Sequence, residues 1–388
     1  VGRTTGLAQR GRRRSTASDG RRPTQASACI GLLLALGGCG VQPPTAPGAP
    51  NAPGAADTAL NAFANAMGQW VGADGPAAVA TLSALDPEAL DASRRAARRC
   101  ILERFAPAHP EAANAPGFDD PSLPPPLSLA LRAYRTYWTL RLMRIADVAH
   151  AEAQLARELA AAGTGAAADE PLEQQVSAAR ALAERLGWHA LGGVTAPLHE
   201  FMLWRRQTSA VETVTLPEGG VEVTVTRLEG FASLGWLGHA TCDRHHTGGW
   251  ATATGVMVVA ASWDFASEAY RVSLLAHEAQ HIADQRRFPR LGAADLEFRA
   301  KLVELMLATT TRRDLVRAFV AQARPERGIA HAFASHWLVT RLRDRLGTAD
   351  LPAASGDALR AAAAAELQAH TEVLLQRGAA DVQTALPD

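Results

Sequence analysis

Between Ser273 and Leu305 the chain carries the phrase HEAQH, in which His277 and His281 stand four residues apart with Glu278 between them. On an α-helix, residues four apart lie one above the other on the same face, so the two imidazoles can address a single metal ion. Two histidines make half of a catalytic zinc site, which takes three protein ligands and leaves a fourth position open. Glu278 follows His277 directly and therefore points about 100° away around the helix, where it cannot share the ion. A carboxylate beside the ion and off its ligand set suits a general base, and the chemistry expected is metal-assisted hydrolysis.

The surrounding residues favour the helix that this chemistry needs. Asp264 or Ser267 can cap its start, Tyr270, Leu274 and Leu275 give it an apolar face, and Phe288 and Pro289 stop it. The phrase FPRLG, residues 288 to 292, reads as a tight reversal, and Ala293 to Thr309 as a second helix packed antiparallel to the first. Counted back from the turn, Glu297 comes level with His281, and Glu304 lies two turns further on, nearer His277. Both are candidates for the third ligand.

With these residues in hand, the chain resembles the gluzincins, zinc metallopeptidases that combine the two histidines of HExxH with a glutamate from a downstream helix. In the CAAX prenyl protease branch that glutamate opens a phrase E-F-x-A-D, and Glu297, Phe298, Arg299 and Ala300 match its first four positions. The resemblance implies a zinc site of His277, His281 and Glu297, with Glu278 as the base that deprotonates water attacking an amide carbonyl and then returns a proton to the leaving amine. The branch has Asp where this chain has Lys301, which leaves the carboxylate that orients a ligand histidine to be found elsewhere. Asp284, one turn after His281 on the same face, is the candidate. Thermolysin-like gluzincins also use a downstream histidine to stabilise the oxyanion. His331 and His336, in GIAHAFASHW, are available for that role, and His331, near a helix start, is preferred. The resemblance spans only Ser273 to Leu307 and implies a class of reaction rather than a substrate.

The first 38 residues read as an export signal, with an arginine-rich start, the apolar run ACIGLLLALGG, too short to span a bilayer, and small residues before Cys39. LGGC, Leu36 to Cys39, resembles the bacterial lipobox, which implies lipidation of Cys39 and a place in the cell envelope, on the periplasmic side. Residues 39 to 57, rich in Pro, Gly and Ala, lack any apolar period and read as a tether. Lys plus Arg and Asp plus Glu both number 39, and no basic run occurs beyond the leader, so nothing points to nucleic acid. The partners expected are a peptide or protein substrate and, through the lipid, a membrane.

Residues 58 to 206 are expected to form a helical unit and 207 to 388 a catalytic one, giving an α+β fold that is predominantly helical, with a small mixed sheet beside the HEAQH helix and its antiparallel glutamate helix. In the first unit, helices occupy 58 to 105 with a break at Gly72 to Gly75, and PSLPPPLSL, residues 121 to 129, interrupts the chain. Leu127 to Ala162 follows as one long helix with Leu131, Tyr134, Trp138, Leu142 and Ile145 on its buried stripe. Pro171 to Leu186 is a further helix, Gly187 to Gly193 a loop, and PLHEFMLWRR, with His199 and Glu200, helix-like and structural. From Val211 the period changes to two, predicting a β-hairpin around PEGG, and Trp250 to Ala261 predicts one more strand, whose start would border the cleft. Helices over 314 to 323, 328 to 346 and 358 to 376 complete the chain. GHATCDRHHTGG, with His239, Asp243, His245 and His246, lacks metal-ligand spacing. In an exported chain Cys100 and Cys242 are free to form a disulfide once Cys29 is removed with the leader and Cys39 is acylated.

Overall fold

The computed structural model describes residues 33–35, 55–105, 120–167, 169–195, 197–252 and 255–387. Cys39, the tether up to residue 54 and all of the leader except Leu33–Ala35 lie outside them; residues 55 to 57, expected to belong to the tether, open the first helix instead. The fold is α+β and predominantly helical, with twelve α-helices and one six-stranded mixed sheet among the described residues. None of these helices is long and apolar enough to cross a membrane.

Six helices come first: α1 (Ala55–Val71), α2 (Gly75–Ala84), α3 (Ala92–Phe105), α4 (Pro125–Leu142), α5 (Val148–Ala161) and α6 (Leu172–Arg185). Prolines 124 to 126 open α4 rather than only interrupting the chain, since Pro fits the first turn, where no backbone N–H partner is lost. The long helix expected over 127 to 162 is two. Arg144 takes a left-handed conformation, φ 56°, and the Asp147 side chain caps α5 by accepting from the His150 N–H at 2.8 Å. Ile145 falls in that break and is exposed, while Leu131, Tyr134, Trp138 and Leu142 are buried as the period requires.

The sheet runs in the order β1-β5-β6-β4-β3-β2, from β1 (Leu33–Ala35), β2 (His189–Thr195), β3 (Leu198–Leu216), β4 (Gly219–Leu234), β5 (His246–Ala251) and β6 (Gly255–Val259). All neighbours are antiparallel except β4 and β6. The hairpin around PEGG is longer than its alternating pattern indicated. Two expectations fail here together. Residues 187 to 193 are mostly strand, and LHEFMLW is strand as well, because each pairs with the other along seven residues. Gly192 looked like loop punctuation, yet a Cβ there would come within 3.0 Å of Val176 and Arg180, so the glycine lets α6 pack closely on β2. The strand expected at 250 to 261 is also two, β5 and β6, folded back on each other. Leu33–Ala35, from the segment read as leader, pairs with His246, Thr247 and Gly249, short of Trp250, where the cleft edge is expected to begin; residues 253 and 254 of that expected edge lie outside the described residues.

The core has two main parts. One, led by Trp70, Tyr134, Trp138 and Phe201, lies among α1 to α6, the start of β3 and α7 (Gly235–Thr241). The other, led by Leu274, Phe298, Leu302 and Phe333, lies under β3, β4 and β6. Around it stand α8 (His277–Arg287), α9 (Ala293–Leu307), α10 (Arg312–Gln322), α11 (Ala330–Leu346) and α12 (Gly356–Gln376). A boundary at 206/207 falls inside β3, and α7, beyond it in sequence, packs into the first core. Cys100 in α3 and Cys242 after α7 form a disulfide across the same boundary, with Cα atoms 6.4 Å apart.

Candidate metal centre

Ser267 starts the metal helix, its hydroxyl accepting from the Tyr270 N–H at 3.1 Å. Tyr270–Ala276 is wound as a π-helix that runs directly into α8, a local widening that proteins place at functional sites. Phe288 to Gly292 reverses the chain, and α9 runs back along α8, so that early residues of one face late residues of the other. Every side chain from Ala294 to Leu305 is buried. A helix enclosed on all sides can present polar groups only to partners inside the protein, and Glu297, Lys301 and Glu304 all do so.

His277, His281 and Glu297 each offer one ligand atom, and these atoms lie within 4.8 Å of one another. Glu297 Oε1 is 3.3 Å from His281 Nε2, and Glu297 Oε2 is 3.5 Å from His277 Nε2. This buried group can hold a metal ion. On its other nitrogen, Nδ1, His277 meets Glu304 Oε1 at 2.7 Å. That contact fixes the ring and turns Nε2 toward Glu297, on the side where a cation can be held.

Several buried polar atoms here lack a hydrogen-bond partner: His277 Nε2, both carboxylate oxygens of Glu278, and Glu297 Oε2. Native structures seldom leave buried polar atoms so. His277 Nε2 and Glu297 Oε2 belong to the group whose ligand atoms lie within 4.8 Å of one another, which fits a site whose proper partner is a metal ion; the two Glu278 oxygens lie outside that group. Electrostatics point the same way. Burial opposes charge on His277, but the carboxylates of Glu297 and Glu304 outweigh it and push the imidazole up to about 10. Burial likewise works against ionised Glu297, yet His331 and His277 hold it well below the usual carboxylate range. The carboxylates that favour a proton on His277 favour any cation set between them. For Glu278, complete burial prevails over the nearby histidines and raises its pKa.

Asp284 does not orient a ligand histidine. It lies on the expected face of α8, but Arg299 of α9 claims it, with Nε 2.8 Å from Asp284 Oδ1, and the same guanidinium reaches Glu218 at the hairpin tip and Thr371 of α12. Glu304 has the role expected of Asp284. His331, at the start of α11, does reach the cluster, with Nδ1 2.7 Å from Glu297 Oε2, a close contact rather than a hydrogen bond. His336 packs edge-on against Trp337. In the GHATCDRHHTGG stretch, His239 is buried against Phe105 and Trp138, and His246 Nδ1 lies 2.9 Å from the Thr247 carbonyl. His199 and Glu200 are structural: His199 Nε2 is 3.2 Å from Glu152, and Glu200 accepts from the Trp236 N–H at the start of α7.

Sequence reasoning noted Lys301 only as a departure from the family phrase and did not place it beside the cluster. Lys301, one turn beyond Glu297, is only 3% exposed, with Nζ 4.0 Å from Glu297 Oε2 and 4.8 Å from the centre of the Phe319 ring. Its spacing of four from Glu297 was the available signal. Comparison with family models, with curated proteins and with solved structures finds no match for this chain.

Proposed function

We propose that this chain is a zinc-dependent peptide hydrolase of the gluzincin arrangement, held in the bacterial cell envelope, on the periplasmic side, by lipid on Cys39. The observation that carries the reading is the convergence of His277, His281 and Glu297 beside a buried Glu278 that has no partner for either carboxylate oxygen. Two neutral imidazoles and one carboxylate are the donor set of catalytic zinc, and bound zinc supplies Lewis acidity and a water acidic enough to lose its proton near neutral pH. Glu304 holds the His277 ring in the ligand orientation. Glu278 takes the proton from the attacking water and delivers it to the leaving amine. His331, a third of its side chain exposed (33%) and in contact with Glu297, is the imidazole donor to the substrate carbonyl in this reading. The disulfide between Cys100 and Cys242 supports an oxidising compartment and so the exported location.

The test uses the full chain in detergent. Expected are one zinc per chain and cleavage of an unstructured protein such as casein, with E278Q retaining the zinc and losing cleavage by about 10²- to 10⁴-fold. Stoichiometric zinc with no cleavage of casein or of a diverse peptide library by the wild type would leave a metal-binding envelope lipoprotein that does not hydrolyse peptides. Absence of zinc after dialysis against the metal would remove the reading. C39S, separately, is expected to leave the membrane fraction while still binding zinc.

A further inference from the structure

Around the site, α8 contributes Glu278 and α9 contributes Glu297 and Glu304, three buried carboxylates. Lys301 sets a buried ammonium 4.0 Å from one of them, Glu297. Its stem is enclosed, its ammonium lies against the Phe319 face, and the nearest carboxylate oxygen is Oε2 of Glu297, the atom that His277 and His331 also approach. An ammonium held this deep is costly to bury unless opposite charge repays it, and the oxygen that repays it belongs to the ligand set.

Resting on the zinc reading above, we infer that Lys301 is a positioning residue that competes with the metal for Glu297: its ammonium engages Oε2, loosens the grip on the ion, and adds fixed positive charge where an oxyanion must be stabilised. Two consequences follow from charge alone. A divalent ion bound through Glu297 is repelled by Nζ, and even with screening like that of bulk water this repulsion weakens binding about tenfold. The same charge favours negative oxygen in the site, so its loss reduces turnover while metal binding improves. A residue serving only to pack α9 against α10 gives the opposite result for the metal, because truncating it loosens the helix that carries Glu297 and weakens binding.

The experiment compares zinc affinity of the wild type, K301M and K301R in the full chain, by competition with a chelating dye at one pH, with thermal unfolding recorded for each. K301M keeps the apolar stem and is expected to bind zinc about tenfold more tightly than wild type; K301R keeps the charge and is expected to bind as wild type does. If K301M fails to fold, K301Q takes its place. Unchanged or weaker zinc binding in the neutral variant overturns the inference and leaves the zinc hydrolase standing. Wild-type protein that binds no zinc overturns the site assignment and this inference with it. Where cleavage is measurable, the neutral variant is expected to lose kcat with KM little changed, and an undiminished kcat would count against the oxyanion role.

Discussion

Glu304 Oε1 lies 2.7 Å from His277 Nδ1, and with the opposite nitrogen of the same ring turned toward Glu297 the imidazole is held between two carboxylates of one helix. The two glutamates stand seven residues apart, two turns of α9, and bracket a single side chain of α8. Glu297 is part of the group that can hold a metal ion, and Glu304 sets the orientation of the His277 ring in that group.

From this geometry E304Q is expected to weaken zinc binding by about 10- to 100-fold, the usual cost of removing a carboxylate that orients a metal-binding histidine. E297Q should cost more, since it removes a ligand and leaves the ion with two. Isothermal titration, or dye competition where binding is tight, ranks the three proteins. Equal affinity in E304Q and wild type would mean that Glu304 only packs α9. Tighter binding by E297Q than by E304Q would exchange the two roles.

The part of the site that was legible in the sequence is the part that helix geometry fixes locally. The spacing of His277 and His281 fixes their common face, and the short FPRLG turn fixes which residues of α9 return to their level. The orienting carboxylate was not legible, because Asp284 and Glu304 both satisfy that count, and the choice depends on Arg299. A fully buried arginine runs against composition, which places arginines in solvent, and only its three partners on α8, α12 and the hairpin tip make its burial tolerable. The sheet was half legible for a similar reason. Val211 to Leu216 alternates and has one wet face, whereas Phe201, Met202, Leu203 and Trp204 are buried in succession and carry no period of two. Strand pairing with β2 decided their conformation, and β2 itself was hidden by its glycines.

The disulfide closes a sequence separation of 142 residues, from α3 to the residue after α7. Loop closure of that size is worth about 5 kcal/mol in the unfolded-state entropy account, and native disulfides usually deliver about 2–5 kcal/mol. The double variant C100S/C242S is therefore expected to lose about 2–5 kcal/mol in urea unfolding, with zinc affinity unchanged below its transition, since Cys100 lies in α3 and Cys242 packs against the first core, away from the zinc cluster. Equal stability of oxidised, reduced and double-variant protein would show that the pairing contributes nothing. A change in zinc affinity would show that the two cores are coupled.

The last prediction concerns Glu200, whose carboxylate is buried at the start of α7. It accepts from the Phe201 and Trp236 N–H groups, both at 3.0 Å. Gly235 stands against it: a Cβ there would run into the carboxylate, and the glycine's φ of 83° also belongs to the region that side chains avoid. Burial is the largest influence on Glu200 and outweighs the two N–H donors, raising its pKa from 4.5 to about 8. A carboxyl group whose pKa is higher in the folded state binds its proton more tightly there than in the unfolded chain. Its stabilising contribution is complete below about pH 4.5, declines as the unfolded chain ionises, and is gone above about pH 8, where both states are charged. E200Q presents a neutral acceptor of the same shape at every pH and should match wild type near pH 4.5. The variant should then become the more stable of the two, by a few kcal/mol at pH 8 to 9. Urea unfolding of both proteins across that range gives the comparison. Parallel curves from pH 5 to 9 would mean that Glu200 ionises at its ordinary pKa and that solvent reaches the start of α7.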